Sequence, residues 1–143
     1  MVNQQRVSLP SNWQLVGKLV APTHLQLGKK KIRKYSISMN TYRNLHYQTK
    51  NKLKELYKTT LESQILALPQ LHTISLVYVL YPQTVCDVTN FCCVQSKFLL
   101  DAIVELGKLK DDSYKYISTE IFTFGDKSKT NPRVEIFIYE NCL

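Results

Sequence analysis

The chain has 143 residues, 44% hydrophobic and 21% charged, which suits one domain around a single core and excludes a disordered or low-complexity chain. Its net charge of +8 is one-sided: residues 1–58 hold 12 basic residues and 1 acid (net +11), whereas residues 59–143 hold 7 basic and 10 acidic residues (net −3). No apolar run approaches the ~20 residues that span a bilayer and no charged-then-apolar leader opens the sequence, so neither a membrane protein nor a secreted one is expected, and the expected location is cytoplasmic.

Residues 1–32 read as an irregular N-terminal extension interrupted by Pro10 and Pro22, with a short alternation from Trp13 to Val20 as its one strand-like stretch. Gly28-Lys29-Lys30-Lys31 reads as a turn with a basic tip. A strand is predicted over Arg33 to Met39, with Tyr35, Ile37 and Met39 on one face. Asn40 or Thr41 then caps a helix running from about Tyr42 to Leu66. Its apolar stripe is Leu45, Leu53, Leu56, Leu61 and Ile65, and Lys50, Lys54 and Lys58 occupy the opposite face. Leu68-Pro69 ends it. Ile74 to Tyr81 is a β-branched and aromatic run, a strand buried on both faces. A second helix is predicted from about Asn90 to Leu106, with Gly107 as its C-terminal stop. Strands over Tyr114–Phe124 and Arg133–Tyr139 complete the domain, separated by the polar turn Gly125-Asp126-Lys127-Ser128-Lys129. The order β-α-β-α-β-β implies an α/β (α+β) domain over residues 33–143, a small mixed sheet with two main helices packed on it.

The four cysteines, Cys86, Cys92, Cys93 and Cys142, do not form a disulfide framework or a zinc-ligand spacing with the distant His24, His46 and His72. They are expected to be reduced and mostly packed in the core, with metal ligation as the lesser alternative. Trp13 is expected to be a packing anchor, Tyr42 and Tyr47 to sit on the seam between helix and sheet, and His46 to be incidental.

The chemistry concentrates between Cys86 and Asp112. Asp87 ends a buried strand just before the second helix, and Asp111-Asp112 follow that helix. If neighbouring strands bring the two loops together, their carboxylates make a hard-oxygen site suited to Mg²⁺, which supports phosphodiester hydrolysis. Shared coordination requires the Asp87 and Asp112 carboxylates within ~4–6 Å of each other. Lys97, four residues before Asp101 on one helix face, is placed to stabilise charge on a phosphate. The plainer reading makes Asp87 a turn residue, Lys97–Asp101 a surface pair and Asp111-Asp112 a solvated turn. The basic excess in the first 58 residues suits a polyanion, since each Lys or Arg beside a phosphate releases counterions; a solvated surface explains it as well.

This segment resembles the RusA family of Holliday-junction resolvases, endonucleases of phages and prophages. The family pattern D-x-D-N, Lys, D-A-L, Gly, D-D reads here as Asp87-Val88-Thr89-Asn90, Lys97, Asp101-Ala102-Ile103, Gly107 and Asp111-Asp112. Ser38 to Arg43 and Arg133-Val134-Glu135-Ile136 extend the resemblance over roughly residues 34–140. Thr89 stands where the family has its second catalytic Asp, and four extra residues separate Asn90 from Lys97. The resemblance implies a RusA-like fold, a homodimer and a structure-selective endonuclease resolving four-way junctions. Asp87, Lys97 and Asp112 would be catalytic, with Asp87, Asp111 and Asp112 holding Mg²⁺ or Mn²⁺ and no small-molecule cofactor. Branched DNA would be tracked through its backbone by Lys29, Lys30, Lys31, Arg33, Lys34, Arg43, Lys50, Lys54 and Lys58. The alternatives are a catalytically weak or inactive binder of branched DNA on the same fold, and a basic module for an unrelated partner such as RNA or a protein. Thr89 divides the first two readings.

Overall fold

A computed structural model describes residues 8–141. The elements run β1 (Trp13–Pro22), β2 (His24–Leu27), β3 (Arg33–Ser36), α1 (Met39–Arg43), α2 (Tyr47–Leu66), β4 (Ile74–Tyr81), α3 (Val88–Glu105), β5 (Ile117–Phe124) and β6 (Arg133–Asn141). A four-stranded mixed sheet has the order β1-β6-β4-β5, and β2 and β3 form a separate antiparallel hairpin. The domain is the mixed α/β arrangement expected, with the helices on one face of the sheet.

β4 is central because nearly all of ISLVYVLY is buried. Alternate residues serve two faces. Ile74, Leu76, Tyr78 and Leu80 join the main core with Leu53, Tyr57, Leu61 and Ile65 of α2 and Phe98, Leu99 and Ile103 of α3. Val77 and Val79 face the other way, with Phe137 and Tyr139 of β6. Full burial of each such side chain contributes about 1.5–3 kcal/mol.

The boundary expected at residue 32 does not exist. β1 pairs antiparallel with β6 from Trp13↔Asn141 to Pro22↔Arg133, so residues of the supposed extension form an edge of the main sheet. Leu9 and Trp13 also pack on the face turned away from the helices, where Trp13 meets Tyr139 at 5.7 Å between ring centroids. The Trp13–Val20 alternation was strand-like for this reason; its partner lies over a hundred residues downstream and leaves no local trace. Gln64 of α2 closes the outer side of this edge: the Val20 N–H donates to Gln64 Oε1 (2.8 Å) and Gln64 Nε2 donates to the Val20 carbonyl (3.0 Å). Such a contact blunts an edge strand.

The single helix expected over 42–66 is two. Ser38 caps α1 through its side chain, and His46 Nδ1 accepts from the Gln48 N–H at the start of α2. Asn44 to His46 break the run. Tyr47 is consequently 64% exposed, not on the seam, whereas Tyr42 packs edge-on against Phe98 of α3, a contact between helices. Gly107 adopts φ +79° and terminates α3 with a Schellman pair, Lys108 N–H to Ile103 O and Gly107 N–H to Val104 O.

Candidate functional site

β4 and β5 are parallel neighbours joined through α3. A parallel crossover returns the chain to the starting edge of the sheet, so the loops before and after α3 lie at opposite ends of it. Hydrogen bonds mark both ends. After α3, the Leu71 N–H reaches the Lys108 carbonyl and the Ile74 N–H reaches Tyr116; before it, the Ser128 N–H reaches the Pro82 carbonyl. Asp87 therefore stands at the opposite end of α3, an 18-residue helix ~27 Å long, from the loop that carries Asp111 and Asp112.

This corrects the expected metal site. Within one chain Asp87 does not meet Asp111 or Asp112, and among the described residues no group of three or more His, Cys, Asp or Glu side chains is placed to hold a metal ion. Asp87 is exposed at the N-cap of α3 and makes no capping hydrogen bond through its side chain. Asp111 and Asp112 are exposed. The Ser113 hydroxyl and the Asp112 N–H hold the Asp111 carboxyl below its usual range, the signature of a solvated turn.

The face of α3 from Asn90 to Glu105 lies along α1 and α2. Asn90 Oδ1 accepts from the Asn40 N–H (3.2 Å), and the Lys97 ammonium lies 5.8 Å from the Tyr42 ring centroid. The two sequence segments that carry the family resemblance thus touch in space. Lys97 does not pair with Asp101. Asp101 instead binds Lys54 at 2.9 Å, and Glu105 binds Lys58 at 2.8 Å. Lys58 also holds Glu55, at 3.0 Å.

Those ion pairs distinguish the cations of the expected DNA surface. Lys54 and Lys58 are helix–helix contacts, their charges met by carboxylates; the hydrogen bond to Asp101 raises the Lys54 pKa. Lys50 lies 4.6 Å from the Tyr42 ring centroid, and Arg43 is exposed at the end of α1. Lys29, Lys30, Lys31, Arg33 and Lys34 are exposed on the β2–β3 hairpin, and no ion pair joins any of them to a carboxylate among the described residues.

The hairpin geometry explains why. Leu25 is buried and Leu27 and Tyr35 pack against the core beside α2, while Gly28 takes φ +132° to turn the chain. The apolar side anchors the hairpin and the lysines project outward. Between it and the start of α2 lies an open groove of about 620 Å³ lined by Leu27, Gly28, Lys29, Lys31, Arg33, Tyr35, Thr49 and Lys52. Four cations share this groove with no acidic side chain. Lys52 was missed at the sequence level because it sits among other lysines on one helix; its position one turn into α2, beside the hairpin, is a tertiary fact.

A smaller recess of about 100 Å³ lies at the other end of the hairpin, lined by Thr23, His24, Leu80, Pro82, Gln83, Thr84, Cys86 and Phe91. His24 stacks at an angle on Phe91 (6.3 Å between centroids), and its Nδ1 is 2.8 Å from the Thr23 hydroxyl. Burial, then the Lys34 charge, lowers the His24 pKa. Cys86, Cys92 and Cys93 are free thiols. Cys92 is a core residue with its pKa pushed up to about 12 by burial; Cys93, expected in the core, is exposed. Cys142 lies outside the described residues. No helix among the described residues is long and apolar enough to cross a membrane. No family model matches the chain, and no curated protein matches it.

Proposed function

We propose that this protein binds branched DNA through its phosphate backbone, with the β2–β3 hairpin and the first turns of α2 as the gripping surface. The observation that carries this reading is the groove in which Lys29, Lys31, Arg33 and Lys52 converge without a carboxylate. Unpaired cations on a fixed hairpin neutralise phosphates without first breaking an ion pair. Lys30, Lys34, Arg43 and Lys50 extend the positive surface around it. Backbone contacts of this kind read shape rather than base sequence, which fits a four-way junction. Were the resemblance to a phage family to hold, this activity would belong in the cytoplasm of a bacterial host.

The test is fluorescence anisotropy of a labelled four-way junction and of a linear duplex of equal length, at moderate salt. Tighter binding to the junction, lost when Lys29, Lys31, Arg33 and Lys52 are all changed to Ala, is the expected result. Equal affinity for both substrates would defeat the reading.

A second reading, the metal-dependent junction endonuclease, is favoured by one observation: the family-like segments meet, Asn40 on Asn90 and Tyr42 beside Lys97. Because one chain keeps Asp87 apart from Asp111 and Asp112, this reading requires a homodimer in which a second copy supplies the missing carboxylates. Its test is junction cleavage with Mg²⁺ by Asp87→Asn, by Asp112→Asn, and by the two variants mixed. Loss in each variant and nicking of one strand on mixing is the expected pattern; no activity on mixing would overturn a site shared between copies.

A further inference from the structure

We infer that the recess between the start of β2 and the loop before α3 receives an unstacked, single-ring DNA base, while the hairpin beside it carries the phosphates that lead to that base. This rests on the DNA-binding reading above.

Size comes first. The recess offers about 100 Å³, and one water needs roughly 10–15 Å³ on that measure. It therefore admits a planar ring of a few heavy atoms and excludes a folded peptide segment. Its walls are chemically suited to such a ring. Leu80, Pro82 and Phe91 are apolar or aromatic, and base–aromatic contact tolerates any base because every base has a π-face. The rim is polar: Thr23, Gln83 and Thr84 are neutral hydrogen-bonding groups. No carboxylate lines it, and the pKa of His24 is lowered, so the recess carries little charge of its own. A neutral heterocycle suits it better than a free anion.

Continuity with the basic groove comes second. His24 opposes Ser36 at one end of the hairpin and Leu27 opposes Arg33 at the other. The three residue steps from His24 to Leu27 cover ~10 Å, about three stacked nucleotides at 3.4 Å each. Lys34 lies between the two, close enough for its charge to act on His24. Strand alternation puts Arg33 on one face of the hairpin and Lys34 with His24 on the other, so a DNA strand whose phosphates lie over Lys29, Lys31 and Arg33 crosses the hairpin past Lys34 to reach the recess. The recess also sits at the carboxyl end of β4, the side of a parallel pair where α/β sheets bind ligands.

The test uses the full chain and three labelled ten-nucleotide DNA strands at low salt: all thymidine, all adenosine, and an abasic strand with tetrahydrofuran at every position. The thymidine strand is expected to bind roughly 5- to 150-fold tighter than the abasic strand, and tighter than the adenosine strand. In Phe91→Ala, and in Thr84→Leu, which narrows the recess from an exposed loop, that ratio falls to within about two-fold of unity while abasic binding is unchanged. If circular dichroism shows that Phe91→Ala does not fold, Thr84→Leu decides alone. A base-to-abasic ratio that survives in the folded variants overturns this inference and leaves the DNA-binding reading standing. Failure of all three strands to bind also overturns this inference, and the junction assay described above then decides the DNA-binding reading separately.

Discussion

Lys52 and Lys58 lie less than two turns apart on α2, yet they belong to different chemistries. Lys52 faces the hairpin and shares an acid-free groove with Lys29, Lys31 and Arg33. Lys58 faces α3 and holds Glu105 and Glu55. A charge tally along the chain counts them alike. The difference shows that a positive surface is made by cations whose nearest neighbours are not carboxylates. On α2 the dividing line falls where the helix leaves the hairpin and begins to run along α3. A third set of cations is also committed: Lys18 and Arg133 both bind Glu135, at 3.1 and 2.8 Å.

The sharpest way to break this contrast is a salt titration of DNA affinity. Four groove cations contribute a slope of about −3.6 in log affinity against log salt, so binding should weaken about 150-fold between 50 and 200 mM salt from these contacts alone. Changing Lys29, Lys31, Arg33 and Lys52 to Ala together should remove that share of the slope. Lys54→Ala with Lys58→Ala should leave it within one unit. Equal losses from the two sets would show that the ion pairs open on binding and that the contrast is false.

The packing between α2, α3 and β1 gives the next largest effect. The buried Tyr57 hydroxyl donates to Gln95 Oε1, and Gln95 Nε2 donates to the Pro22 carbonyl, each at 2.7 Å. Gln95 is fully buried. Tyr57→Phe leaves its amide oxygen without this donor, and urea unfolding should report a loss of about 1–3 kcal/mol with DNA affinity unchanged.

Glu135 supplies a pH test. Burial alone would raise its pKa, but the hydrogen bonds and charges of Arg133 and Lys18 hold it below the ordinary Glu value of 4.5. A depressed folded-state pKa means that the carboxylate's contribution is present above the unfolded value and is lost as pH falls through the folded one. The midpoint of urea unfolding in the wild-type chain should therefore drop below pH 4.5 more steeply than in Glu135→Gln. Parallel profiles would show that Lys18 and Arg133 are not held by Glu135.

The smallest effect belongs to the surface ion pairs. Lys54→Ala should cost no more than about 1 kcal/mol and Lys58→Ala should change stability little, because exposed and part-exposed pairs are screened by water and salt. Thermal unfolding at low and high salt checks this, with the cost expected to shrink as salt rises.

Local chemistry determined much of this protein. The β-branched run of β4, the helical spacing of Leu53, Leu61 and Ile65, the glycine stop after α3 and the basic turn after Gly28 are all legible in the sequence. Each depends on neighbours within a few residues, so pattern and propensity report them directly. Tertiary structure decided the rest. It put residues 13–22 into the main sheet through a partner more than a hundred residues away. The break of the long predicted helix at Asn44 to His46 is, by contrast, marked by local side-chain caps, Ser38 on α1 and His46 on α2. Tertiary structure made further choices. It joined Asn40 to Asn90 and gave Lys54 and Lys58 to α3. It also kept Asp87 and Asp112 apart, because parallel β4 and β5 oblige the chain to travel the full length of α3 between them. Spacing along a chain does not encode strand direction, and strand direction sets which loops can meet.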